Sequence, residues 1–393
     1  MMRTNLLKHA ALPLVLSTAL AIPLAAHAEI FPSARNYEAI PLTLNGVGCR
    51  VADIEDGLAV GWCDTDTGRR AFAWTEATGL MDLGTLGGTS AIAESIRDGR
   101  AVGGSLLSGD LTQNAMAWSL STGMLDLGSL GGPTTLAHAT AGNVVVGVGL
   151  DSSYWGHAFR WTPSTGLVAL AELPDSTVSS ASDVDGNLIA GYAYSSASWQ
   201  GPRPLVWRTD GTLIDPIGTP LESCGFGVCG SGVSTAVRDG LVAGYSNTAA
   251  ELAHAFAWSE AGGLVDLGVV PGSNESFAFD TDDGVVVGQL SGPTSTRAFI
   301  WTAASGMRAI TPETVTAVAT TITNGRVLGW YVAANGARPF LWTSRRGVLD
   351  VNPRGFDNGS RAVSVDAAGR IAVVYEDENP ANTKSVVLVP RGP

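Results

Sequence analysis

Two stretches decide the architecture: AFAWTEATGLMDLGTLGG at Ala71–Gly88 and AMAWSLSTGMLDLGSLGG at Ala115–Gly132. The second is a near copy of the first, and weaker versions follow. An apolar-x-Trp that ends a short apolar run returns at Trp74, Trp118, Trp161, Trp207, Trp258, Trp301 and Trp342, at intervals of 41 to 51 residues. A second series is stricter. A turn residue is followed four positions later by glycine: Gly57 and Gly61, Gly99 and Gly103, Asn143 and Gly147, Asn187 and Gly191, Gly240 and Gly244, Gly284 and Gly288, Gly325 and Gly329. Two registers held over seven copies define an internal repeat whose insertions fall elsewhere in the unit.

Each unit parses into four short strands. In the first, RVADIE meets a tight Asp56-Gly57 turn, LAVGWC follows, then a variable loop, AFAWT, a short turn and LMDLG. Glycine accepts positive φ at such turns without steric cost. In AFAW, Phe72 and Trp74 share one face while Ala71 and Ala73 share the other, the period of a strand. Both faces are apolar, so both need cover. Four-stranded sheets of this length, repeated and apolar on both sides, suit a β-propeller, in which each blade lies between two neighbours. A parallel β-helix has shorter coils and does not require hairpins. The recurring tryptophans are read as structural wedges between blades.

The chain ends set the blade count. YEAIPL at Tyr37–Leu42 sits where a last strand would sit, and the segment from Arg361 to Val389 supplies three strands and stops. The expectation is an all-β, eight-bladed propeller whose eighth blade is completed by the N-terminal strand, with seven blades as the alternative. This eighth unit is degenerate: it lacks the Trp, and Val373 stands where the glycine would be.

Residues 1–28 read as a secretory signal peptide. Arg3 and Lys8 precede an apolar run too short to span a bilayer, and Ala26 and Ala28 flank a cleavage point before Glu29. Residues 29–393 are then one propeller domain, secreted or periplasmic, expected to be monomeric. The chain carries 23 basic and 36 acidic residues, a net charge of −13, and Lys384 is the only lysine beyond Lys8. Such a surface excludes nucleic acid and anionic lipid as partners, because both need clustered Lys or Arg.

The HAF tripeptides at His157–Phe159 and His254–Phe256, with the Trp-to-DLGTLGG and DG-to-VGG segments, resemble the extracellular HAF-family repeat proteins. The resemblance spans roughly residues 49–350, and the layout is also similar to kelch propellers. It implies an exported repeat protein and transfers no catalytic residue.

Four cysteines in an exported chain are expected to pair. Cys49 and Cys63 fall on opposite arms of the first hairpin, and Cys224 and Cys229 close locally in CGFGVC. His157 and His254 recur at one repeat position, which favours a structural role. Alternating aspartates from Asp64, Asp183 and Asp280 partly match a calcium loop but lack its later carboxylate, and turn chemistry accounts for the Asp-Gly pairs. No metal or cofactor is expected. Tyr154, Trp155, Trp199 and Phe226 lie in the variable loops of one face and are the candidate ligand-binding residues. The functional expectation is therefore a non-catalytic binding scaffold for a glycan or cell-surface protein. The alternative is a carbohydrate-active hydrolase or lyase working in the central channel, where Glu94 and Asp183 are the acidic exceptions among small residues.

Overall fold

The computed structural model describes residues 30–34, 36–174, 176–195, 201–214, 231–248, 250–353, 356, 359–375 and 383–391. Their regular structure is all strand, arranged as eight blades. Blade 1 runs from Val47 to Asp82, blade 2 from Gly87 to Gly128, blade 3 from Thr135 to Ala169 and blade 4 from Ser176 to Ile214. Blade 5 runs from Gly232 to Gly268, blade 6 from Glu275 to Ala309 and blade 7 from Ala317 to Asp350. Blade 8 takes three strands from Ser360–Pro390, and the strand Tyr37–Leu44 adds the fourth. Closure is antiparallel: Tyr37 pairs with Pro390 and the register runs through to Leu42 with Ser385. Just upstream, the chain lies along blade 7, where Ala34 N–H donates to the Asp350 carbonyl at 2.8 Å and Phe31 meets Tyr331 edge-on at 4.9 Å.

The core is not one cluster but a series of apolar seams between neighbouring blades. Trp118 of blade 2 shares a seam with Val60 and Ala73 of blade 1, and Trp207 of blade 4 with Val146 and Ala158 of blade 3. Trp258 sits with Leu188 and Val206 of blade 4, and Trp342 with Val287 and Ile300 of blade 6. Trp74 meets Ala372 and Val387 of blade 8. Trp161 and Trp301 occupy the same place but stay partly exposed. Blade 8 has no Trp, and its seam with blade 7 is filled by Leu328, Leu341, Val373 and Leu388. Trp207 is wholly buried and donates its indole N–H to the Ala171 carbonyl at 2.6 Å. Trp207→Ala is expected to cost about 3–5 kcal/mol, read as a fall in denaturant midpoint; an unchanged midpoint would remove the wedge role.

The strict glycine has a geometric cause. A Cβ on Gly61 would lie 2.0 Å from the Arg50 carbonyl oxygen and 3.0 Å from the Phe72 ring. Only hydrogen fits where the second strand meets an irregular first strand on one side and an aromatic ring on the other.

Cys49 and Cys63 form a disulfide, with Cα atoms 4.0 Å apart. Such bonds persist in oxidising compartments. No helix among the described residues is long and apolar enough to cross a membrane.

Candidate functional site

The innermost strand of every blade carries one extra residue. Register shifts fall between Val51 and Asp53, Ala93 and Ser95, Ala137 and Ala139, and Ala181 and Asp183 in blades 1 to 4. Blades 5 to 8 repeat them at the same place. The inserted residues are Ala52, Glu94, His138, Ser182, Thr235, Phe279, Thr320 and Val363, each half-buried on the channel wall. A bulge disrupts the ladder and re-aims the side chains beside it.

Three aspartates follow these bulges directly, and they knit blades together. Asp53 accepts from Ile54 N–H at 2.8 Å in its own blade and from Ile96 N–H at 3.0 Å in blade 2. Ser95 and Ser364 hydroxyls also donate to it, so one carboxylate joins blades 8, 1 and 2. Asp183 accepts from Val184 at 2.8 Å and from Val237 of blade 5 at 2.9 Å. Asp280 does the same with Thr281 and with Ile322 of blade 7, both at 2.8 Å, and takes the Thr321 hydroxyl at 2.7 Å. Desolvation raises Asp183 to about 7 and Asp280 to about 6, against the pull of those donors. The readings of Asp183 as a channel acid and of Asp280 as part of a calcium-like turn therefore give way to a role in holding blades. Asp64, the third such aspartate, is spent on Arg69 Nε at 3.0 Å. Among the described residues no three His, Cys, Asp or Glu side chains gather as a metal site.

The channel has two unlike mouths. On the side of the first turns, Arg97 of blade 2 reaches across to blade 4. It donates to the Val184 carbonyl at 3.3 Å and to Asp185 at 2.6 Å in blade 4. Arg238 stands 3.9 Å from the same Asp185. Burial raises Glu55 at this mouth, with Asp98, Asp56 and Asp53 adding to the rise. The opposite mouth is aromatic. Tyr192 and Tyr194 of blade 4 meet edge-on at 5.9 Å, and Tyr245 of blade 5 meets Phe277 of blade 6 at 5.0 Å. Tyr194 is 43% exposed, while burial and the neighbouring phenols push Tyr245 up.

A separate cleft of about 340 Å³ opens on the aromatic side, between blades 1 and 2. Ala91, Ile92 and Leu106 line it together with Asp64, Arg69 and Gln113. Trp62 stands beside it, with the Arg50 and Arg69 guanidinium carbons 5.3 and 6.0 Å from its ring.

Of the candidate ligand residues, Tyr154 and Trp155 stand at a loop tip, 71% and 47% exposed. Asp151 shapes that loop by accepting from Ser153 and Trp155 N–H groups at 2.8 and 2.9 Å. His157 ties it down, contacting Asp151 at 3.3 Å and Glu172 at 2.9 Å. His254 pairs likewise with Asp266 at 3.0 Å, so the repeated histidine links the third strand to acidic neighbours. Trp199, Phe226, Cys224 and Cys229 lie outside the described residues. The aromatic mouth escaped the sequence reading although a signal existed: the position after the strict glycine is Trp62, Tyr192, Tyr245 or Trp330 in four units.

The fold is that of a β-propeller. It is similar to the propeller domain of the Trilobed protease from Pyrococcus furiosus, with a TM-score of 0.51 at 11% identity over 78% of this chain and 99% of that one. It is also similar to oligopeptidase B from Leishmania major, with a TM-score of 0.51 at 10% identity over 86% of this chain and 54% of that one. A prolyl endopeptidase matches with a TM-score of 0.50 at 11% identity, over 85% of this chain and 55% of its own. The chain thus spans about half the length of these two peptidases. No family model matches the chain, and no curated protein matches its sequence. The resemblance to peptidase propellers overturns the expectation of a non-catalytic scaffold for a glycan or cell-surface protein.

Proposed function

We propose that this propeller handles peptides in proteolysis: it receives a polypeptide segment at its aromatic mouth and holds it for a catalytic unit to cleave. The observation that carries this reading is the half-exposed group of Tyr192, Tyr194, Tyr245 and Phe277 around one end of the channel. Tyrosine offers an apolar ring and a hydroxyl together, which suits a chain alternating side chains with backbone amides. At the other end Arg97 and Asp185 pair at 2.6 Å, which favours entry on the aromatic side. The channel carboxylates Asp53, Asp183 and Asp280 are occupied in joining blades. Support for a proteolytic setting comes from the fold likeness to the Trilobed protease, oligopeptidase B and prolyl endopeptidase. The reading includes export, in keeping with the N-terminal segment, the disulfide and the HAF-like repeats.

Fluorescence anisotropy tests it with a labelled, permanently unfolded polypeptide titrated with the full chain. Binding is expected for the wild type, weakened about tenfold or more by Tyr194→Ala with Tyr245→Phe. Tyr245→Phe keeps the ring against Phe277, and the melting temperature reports whether the variant is folded. Failure of the wild type to bind, or equal binding by a folded variant, would end the proposal.

A further inference from the structure

We infer that the cleft between blades 1 and 2 is a binding site for the C-terminal carboxylate of a peptide whose last residue is small and apolar. This rests on the peptide reading above and adds a second, chemically distinct site to it.

The argument starts from Arg69. Its backbone N–H donates to Ser90 Oγ of blade 2 at 3.0 Å, and its Nε donates to Asp64 at 3.0 Å. Among the described residues these bonds leave both terminal nitrogens of the guanidinium for a ligand. Trp62, 7% exposed, lies under that guanidinium and under Arg50, which limits how either can swing. A planar fork held in place by a neighbouring ring is the geometry that accepts a carboxylate through two parallel N–H donors. Asp64 holds the Nε edge of the fork, which leaves its outer edge for the ligand.

The cleft interior supplies the rest of the recognition. Gln113 donates its amide N–H to the Thr135 carbonyl at 3.3 Å, which orients its own carbonyl oxygen as an acceptor for a peptide N–H. Ala91, Ile92 and Leu106 give an apolar floor. Two glycines keep the space open. A Cβ on Gly104 would lie 2.6 Å from Gln113 Nε2, and one on Gly68 would lie 2.5 Å from Ser90 Oγ. A volume of about 340 Å³ sits at the small end of ligand pockets, enough for two or three short residues rather than a folded domain.

The test uses the full chain, titrated by calorimetry with a five-residue, N-acetylated, alanine-rich peptide ending in valine, as free acid and as C-terminal amide. The free acid is expected to bind at least tenfold tighter. Arg69→Gln should remove that difference, whereas Gly104→Ala should weaken both peptides by moving Gln113 into the cleft. Melting temperatures establish that both variants fold. Equal affinity for acid and amide, or a preference that survives Arg69→Gln, would overturn the assignment. If long unfolded polypeptides bind but neither short peptide does, this site falls while the aromatic mouth stands. If no peptide of any kind binds, both fall together.

Discussion

Deleting residues 30–44 is expected to lower the melting temperature by about 10 °C or more and to leave the ring open. The deletion removes six backbone pairs to the strand Lys384–Pro390 and strips cover from the last blade. It also removes Leu42 and Phe31, which are 1% and 7% exposed, and each such side chain is worth about 2–4 kcal/mol. A synthetic peptide of the deleted sequence, added in trans, should restore much of the loss, because strand addition to a sheet edge needs no covalent link. Calorimetry with and without the peptide checks this. An unchanged melting temperature in the deletion would mean that the closing strand is dispensable.

The second large effect is electrostatic. Asp183 and Asp280 titrate at about 7 and about 6 in the folded chain, above the ordinary carboxylate value, because burial opposes the charged form. Between the unfolded value near 4 and those folded values, the native state holds protons that the unfolded state has released. Stability therefore falls as pH rises through that window. Glu55 and Asp282 are raised by burial and act in the same direction. His157 adds to the trend: Glu172 and Asp151 raise it despite burial, so its contribution is present below about 6.5 and is lost as pH rises through its folded value. The protein is expected to melt several degrees higher at pH 5 than at pH 8. Asp183→Asn, which keeps one of two acceptors, should flatten that slope. Asp183→Ala should cost about 2–4 kcal/mol at either pH by stranding the Val184 and Val237 amides. A melting temperature that rises from pH 5 to pH 8 would refute the account.

The repeat was legible because its residues are there for sterics, and sterics repeats. Gly61 and its counterparts must lack a side chain, the tryptophans must fill a seam, and both demands recur in nearly every blade. Cys49 and Cys63 followed from the hairpin itself. The channel was not legible for the opposite reason. A bulge is a change of register, not of composition, and the bulged Ala52, Glu94, His138, Ser182, Thr235, Phe279, Thr320 and Val363 share no chemistry that could mark them. Without that shift, Asp183 reads as a loose acid and Asp280 as part of a turn. With it, each aligns with a backbone amide of the next blade. The cleft at Arg69 was hidden too, because Asp64 and Arg69 flank a turn in the sequence and only the fold sets Gln113 of the neighbouring blade beside them.

The pairing of Tyr37–Leu44 with Lys384–Pro390 also sets a timetable for biogenesis. The ribosome makes Tyr37–Leu44 before the seven intervening blades and Lys384–Pro390 after them, so the nascent chain must carry an unmatched β-segment while those blades are made. Pro41, which has no N–H to offer, and the outward-facing Glu38 make that segment a poor template for stray association while it waits. Ring closure should accordingly be a late event, triggered when Lys384–Pro390 becomes free to move.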